Sequence, residues 1–274
     1  MPRFIFIVFT IFCSLPVLAE SFIANIHSIS EGEETLIKFS NGRVGFMPSD
    51  TESLNSLKHF HEETVEVELD SESELVSMAR ISGSKNKSVL ENDFLPQTKL
   101  PQTIMTKREN VVSVFNRLNK TYLADSECYN RAHIWAYEEY KKNSIVMNKV
   151  FVFFSDAYIK KYNFKWWFHV APYLLYRRDG ALYAGVLDHQ FSQGPQSIKS
   201  WTDTWIETKN PCKLINRYSE YSLNTLPNEC YLMKVDMFFW QPRDMESVEK
   251  GGLKKESFLS DEVKHAYTEA FGIK

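Results

Sequence analysis

The sequence predicts an α+β protein in two parts: a small strand-rich unit, then a larger unit in which a helix packs on an antiparallel sheet. Three observations predict it. Residues 20–82 contain short β-branched segments separated by turn residues, residues 124–140 carry a helical spacing of apolar positions, and residues 166–188 read as a hairpin. The length of 274 residues suits one or two domains with a true hydrophobic core. Hydrophobic residues at 43% and charged residues at 24% exclude disordered and collagen-like chains. With 32 Lys+Arg against 35 Asp+Glu there is no broad basic field, so nucleic acid is not an expected partner.

Residues 1–19 (MPRFIFIVFTIFCSLPVLA) place one basic residue, Arg3, before an apolar run that ends Val17-Leu18-Ala19. Small residues at −3 and −1 of a cut after Ala19 read as a secretory signal peptide. The run is short for a membrane span and Pro16 interrupts it, and no later stretch is long and apolar enough to cross a bilayer. The expected product is secreted or periplasmic. Export gives the cysteines a meaning: Cys13 leaves with the signal, and Cys128, Cys212 and Cys230 reach a compartment where disulfides form. One pair and one free thiol is the simplest account. Cys212 and Cys230 enclose a polar, loop-like segment whose closure would stabilise the fold, which leaves Cys128 as the candidate free thiol.

In order along the chain, FIANIHSI, TLIKFSN, GRVGFM, TVEVEL and LVSMARI are expected strands of the 20–82 unit, with Asn41-Gly42 as a hairpin signal. The acidic stretch Glu62–Glu74 is expected to be a solvated face. Residues 83–108 have two prolines, many polar residues and weak periodicity, and read as a linker that ends in Lys107-Arg108, a possible cleavage site. Residues 109–242 form the aromatic, cysteine-containing unit. Residues 243–274 are a polar tail with one expected helix over Ser257–Phe271.

Ala124 to Ala136 opens a helix with Asp125 or Ser126 as N-cap, so Cys128 falls in its first turn. There the free backbone N–H groups and the helix dipole favour a thiolate, and the same groups can hold a developing oxyanion. A buried structural cysteine would also fit that position. Trp166–Tyr176 and Ala181–Asp188 are the two strands of the hairpin. If Arg177-Arg178-Asp179-Gly180 make a four-residue loop, His169 faces Asp188 directly. If Asp179-Gly180 alone make the turn, Asp188 is the diagonal neighbour of His169 on the same face. Either register sets an imidazole beside a carboxylate.

Cys128 as nucleophile, His169 as base and Asp188 as the acid that orients the imidazole have the chemical logic of acyl transfer from an amide. A thiol on a helix with its partners on neighbouring strands is the arrangement of papain-like and transglutaminase-like cysteine enzymes. His133 points about 140° away from Cys128 around the helix and is read as structural. Arg131 lies nearer the thiol's side and meets either a substrate carboxylate or a structural acid. Trp166, Trp167 and Trp201, with Trp205, are candidates to line a flat substrate cleft, although core is the commoner place for any one of them. His27, His59, His61 and His265 sit in polar surroundings without ligand spacing, so neither a metal nor another cofactor is expected.

Cys128-Tyr129-Asn130-Arg131-Ala132-His133, Trp167-Phe168-His169-Val170-Ala171 and Leu187-Asp188-His189-Gln190-Phe191-Ser192-Gln193-Gly194-Pro195, with Trp201 downstream, resemble the bacterial protein glutaminases. The three blocks occur in order within residues 109–242. His189 stands where the family is expected to have proline. The resemblance implies a secreted deamidase that converts glutamine side chains of proteins or peptides to glutamate, with Cys128, His169 and Asp188 as its triad and no cofactor. It also implies that residues 20–106 are a pro-segment that masks the site of a zymogen until a protease removes it. A transglutaminase, a cysteine protease and a catalytically silent binding protein are the rival readings.

Overall fold

The computed structural model describes residues 20–49, 54–55, 57, 60, 63–80, 100–124, 126–222, 228–252 and 262–272. The expected signal peptide, most of the linker, Asp125, His59 and His61 lie outside them. The fold is a mixed α/β one built on two sheets.

The first sheet is antiparallel and follows the expected strands: β1 (Glu20–Ser30), β2 (Glu34–Phe39), β3 (Val44–Pro48), β4 (Thr64–Leu69) and β5 (Leu75–Arg80), in the order β3-β2-β1-β4-β5. Asn41-Gly42 lies in the β2–β3 connection, where Gly42 takes a φ of 89° that a side chain would strain. β4 shows the pattern of a half-buried strand, with Val65, Val67 and Leu69 inward and Glu66 exposed.

The second sheet has six strands: β6 (Ile104–Met105), β7 (Asn148–Phe154), β8 (Phe168–Arg178), β9 (Ala181–Val186), β10 (Lys213–Ile215) and β11 (Cys230–Val235). Its centre is β7, where Val150 to Phe154 are all fully buried. The helices are α1 (Arg108–Arg117), α2 (Cys128–Asn143), α3 (Asp156–Tyr162), α4 (Ile198–Thr202), α5 (Ser219–Ser222), α6 (Pro242–Glu249) and α7 (Glu262–Phe271). Cys212 and Cys230 are joined in a disulfide beside β10 and β11, and Cys128 is free.

Two boundaries differ from the sequence reading. The linker does not run to residue 108: Thr103 N–H bonds Val146 C=O, and β6 pairs in parallel with Leu175 and Tyr176 of β8. A two-residue strand is too short to show a pattern of its own, and its place is set by the strand it joins. Lys107-Arg108 accordingly cap and open α1. Among the described residues from 242 onward there are two helices rather than one, and they are part of the body. The Asp244 carboxylate accepts from the Trp240 and Gln241 N–H groups at the start of α6, with Pro242 in its first turn. Ala266 and Ala270 of α7 are buried in the main core.

His27, read as lying in polar surroundings, instead packs against the Trp167 ring at 4.5 Å and bonds the Tyr218 hydroxyl at 2.8 Å. It belongs to a broad seam between the two sheets. Leu36, Val44 and Phe46 of the first sheet share one core cluster with Phe151, Phe153 and Trp167 of the second. The Trp167 indole donates to Phe39 C=O, and Lys38 crosses the seam to Asp156 at 2.5 Å and to the Tyr221 hydroxyl. Among the described residues, no helix is long and apolar enough to cross a membrane.

Candidate active site

Cys128 is the first residue of α2 and is half-buried. The N-cap is Glu127, in extended conformation and without a side-chain cap, rather than Asp125 or Ser126; the Ser126 hydroxyl turns back to Tyr122 C=O instead. The first intrahelical bond runs from Arg131 N–H to Glu127 C=O, so the amides of Cys128 to Asn130 are free of helical partners. The helix is locked from its far side. Glu139 takes a two-pronged ion pair from Arg117, and the Trp135 indole donates to Asn119 C=O.

His169 and Asp188 reach the site from the hairpin. Asp179 and Gly180, with φ of 51° and 76°, make a two-residue turn, and pairing runs from Arg178↔Ala181 to Tyr173↔Val186. This is the tight-turn register. β9 ends at Val186, so Asp188 lies just past the ladder and not in a strand facing His169. Its Oδ2 still meets His169 Nε2 at 2.8 Å. A carboxylate only accepts, so Nε2 carries the proton and the other ring nitrogen is left for the hydrogen bond with the Cys128 thiol. Asp188 is fixed by further donors: the Trp201 indole N–H on Oδ2 at 2.8 Å and Gln190 N–H on Oδ1 at 3.1 Å.

The charges follow from these contacts. Burial would lower the pKa of His169, but the negative charges of Cys128 and Asp188 and their hydrogen bonds outweigh it and raise it to about 9. Burial pushes the Asp188 carboxyl up, while His169, the Trp201 indole and Arg131 outweigh it and hold it below the ordinary carboxylate range. Imidazolium beside thiolate is the reactive form of such a pair.

The aromatic candidates separate. Trp166 lines the cleft above Cys128 and lies roughly parallel to the His169 ring at 6.2 Å. Trp167 and Trp201 do not line it: both are fully buried. Trp167 is taken up by the seam between the sheets, and Trp201 by Asp188, which needs a donor more than a substrate needs a wall. Trp205 and Phe191 close the remaining sides of His169, at 5.0 Å and 5.2 Å. His133 is buried, with Nδ1 2.5 Å from the Lys149 ammonium. His189, beside the acid, turns its ring onto Phe115 and its Nε2 to Phe115 C=O.

Sequence reasoning left the task of Arg131 open and missed Gln190. Arg131 bonds the carbonyl of Ser126, just before the thiol, and the side chain of Gln190, just after the acid. It therefore ties the two loops of the site together. The cleft, of about 1010 Å³, is lined on one side by Cys128, His169 and Gln190 and on the other by the first sheet, including Asn25, Asn41 and Arg43. Gln241, Arg243 and Glu269 also reach it from beyond residue 240. The only available signal for that was the spacing of Ala266 and Ala270, which marks a helix face turned inward. Among the described residues, no group of His, Cys, Asp or Glu is arranged to hold a metal.

The fold thus brings a thiol at a helix N-terminus, an imidazole and a buried carboxylate into one series. Residues 101–205, which contain all three, match the protein family described as glutaminase. No curated protein sequence matches the chain. Two crystal structures are similar to it in fold. That of a pro-protein-glutaminase is 16% identical, with 81% of this chain and 84% of that one covered and a TM-score of 0.50. That of a mutant pro-protein-glutaminase is 16% identical, with 82% and 85% covered and a TM-score of 0.53.

Proposed function

We propose that the protein is an exported cysteine amidohydrolase that deamidates glutamine side chains in proteins or peptides and releases ammonia. The observation that carries this reading is the hydrogen-bonded series Cys128–His169–Asp188 at the floor of a cleft, within the segment that matches the glutaminase family.

The Cys128 thiolate attacks the carboxamide carbon, and the free amides at the start of α2 hold the oxyanion that forms. Imidazolium His169 gives its proton to the departing amide nitrogen, which leaves as ammonia, and a thioester remains. His169, now neutral, takes a proton from water as that water adds to the thioester. Collapse expels the thiolate and frees the glutamate carboxylate. Asp188 keeps the imidazole in one orientation and tautomer throughout and supports its charge. The core would then be papain-like in its division of labour, with the thiol on a helix and its partners on a sheet. No cofactor enters any step.

Residues 20–82 act, in this reading, as a pro-segment. The support is that the first sheet forms one wall of the cleft. Because residues 100–106 are built into the second sheet, the activating cut falls before residue 100 and not at Lys107-Arg108. The apolar leader and the disulfide are in keeping with an exported chain.

The test is ammonia release from a glutamine-containing protein, before and after limited proteolysis, with mass spectrometry of the product. Glutamate in place of glutamine, a rise in rate on proteolysis and a loss of roughly 10⁴-fold or more in Cys128→Ala are expected. Cross-linked product would make the enzyme a transglutaminase, and new chain termini would make it a protease. Full activity in Cys128→Ala would end the reading.

A further inference from the structure

The first sheet does not merely lie over the cleft; three of its residues run along the second sheet's chain as a strand would. Trp167 N–H bonds Gly42 C=O at 2.9 Å, Val44 N–H bonds Lys165 C=O at 3.2 Å, and Arg43 and Trp166 form an antiparallel bridge. Between these two bonds the Arg43 side chain reaches into the cleft. Its guanidinium lies 5.8 Å from the centre of the Trp166 ring, and its Nε is 4.0 Å from the Glu127 carboxylate. The rest of the guanidinium pairs with Glu20 of its own sheet at 2.8 Å.

When the first sheet leaves, Glu20 leaves with Arg43. A backbone edge with a free N–H and a free C=O then remains next to an aromatic face and a carboxylate. Such an edge accepts an extended peptide by strand addition, and an indole face beside a carboxylate selects a cation. Burial raises the Glu127 pKa even with Arg43 and Arg131 nearby to lower it, so a replacement cation restores the condition in which the carboxylate is most at ease.

We propose that this strip is a substrate subsite: an extended segment of the substrate protein pairs with Lys165–Trp167, and a lysine or arginine of that segment lies between Trp166 and Glu127. The proposal rests on the deamidase reading and names the substrate class of that same site, glutamines with a basic neighbour. The Trp166 and His169 rings are 6.2 Å apart, which at ~3.3 Å per residue sets the basic residue about two positions from the glutamine.

The experiment uses the full chain after limited proteolysis, with peptides that carry one glutamine and Arg, Ala or Glu at each flanking position in turn. The kcat/KM for ammonia release is expected to be about tenfold higher with Arg than with Ala at one position, and lower again with Glu. In Glu127→Gln and in Trp166→Leu the Arg-to-Ala ratio should fall towards one. Binding of the same peptides to proteolysed Cys128→Ala separates the two readings. An Arg preference in binding with no ammonia from the wild type removes deamidation and keeps the subsite. Equal binding and equal rates for Arg, Ala and Glu at every position overturn the proposal, as does an Arg preference that both variants retain.

Discussion

Trp166 and Trp167 are neighbours in sequence, yet each packs against a different histidine, and the two histidines have opposite fates. Trp166 faces His169 at the thiol; Trp167 faces His27 in the seam between the sheets. Burial penalises the charged form of both. At His169 the interactions with Cys128 and the Asp188 carboxylate overcome that penalty and the pKa rises to about 9. At His27 the direct partner is a tyrosine hydroxyl, and Lys38, Arg243 and Lys250 oppose the help from Glu246, so burial wins and the pKa falls to about 4. The difference teaches that depth alone does not set the charge of a histidine; the charge of the groups that touch it decides whether its pKa rises or falls on burial.

The largest effect should come from making the first histidine resemble the second. Asp188→Asn keeps the shape of the site but removes its charge, and offers the imidazole an amide in place of a carboxylate. A fall in kcat for ammonia release on the order of 10³–10⁴-fold is expected, with the chain still folded by circular dichroism. A drop of less than about tenfold would mean that His169 does not depend on its acid.

A smaller effect is expected in the seam. Asp156→Ala leaves the Lys38 ammonium, 8% exposed, with the Tyr221 hydroxyl and no counter-charge. Because Asp156 itself is one-third exposed, about 2 kcal/mol is expected, below the usual loss for a fully buried pair. The check is the midpoint of denaturant unfolding, and Lys38→Met in the same chain should recover most of the loss. Thermal stability against pH sharpens the comparison most. His169, raised, contributes fully below its unfolded value of 6.5 and loses that contribution as pH climbs through about 9. His27, lowered, contributes fully above 6.5 and loses its share as pH falls through about 4. Stability should therefore decline on both sides of 6.5, with the alkaline limb flattened in Cys128→Ala and the acid limb in His27→Gln.

Legibility in the sequence follows the same line between local and assembled structure. The first sheet was readable because alternation and Asn41-Gly42 are local signals. The hairpin was readable as far as its turn, and that sufficed to bring His169 and Asp188 onto one face in either register. By contrast, β7 carries a continuous apolar run with no alternation to mark its period, and the sequence reading assigns it no element. The burial of Trp167 goes with Phe39, 128 residues away, and that of Trp201 with Asp188, 13 residues away, and no spacing rule announces either partner. Arg131 and Gln190 meet only because a helix start and a strand end are brought together by the whole body.

The turn at Asp179-Gly180 also has a consequence for the order of assembly. It lets the His169–Asp188 bond close across 19 residues, whereas the bonds that seat the first sheet, from Trp167 to Phe39 and from Tyr218 to His27, close across 128 and 191. Short-range contacts form early and long-range ones wait for the chain to be gathered. By that rule the His169–Asp188 pair is expected to form with its hairpin and the seam to be the last joint to close.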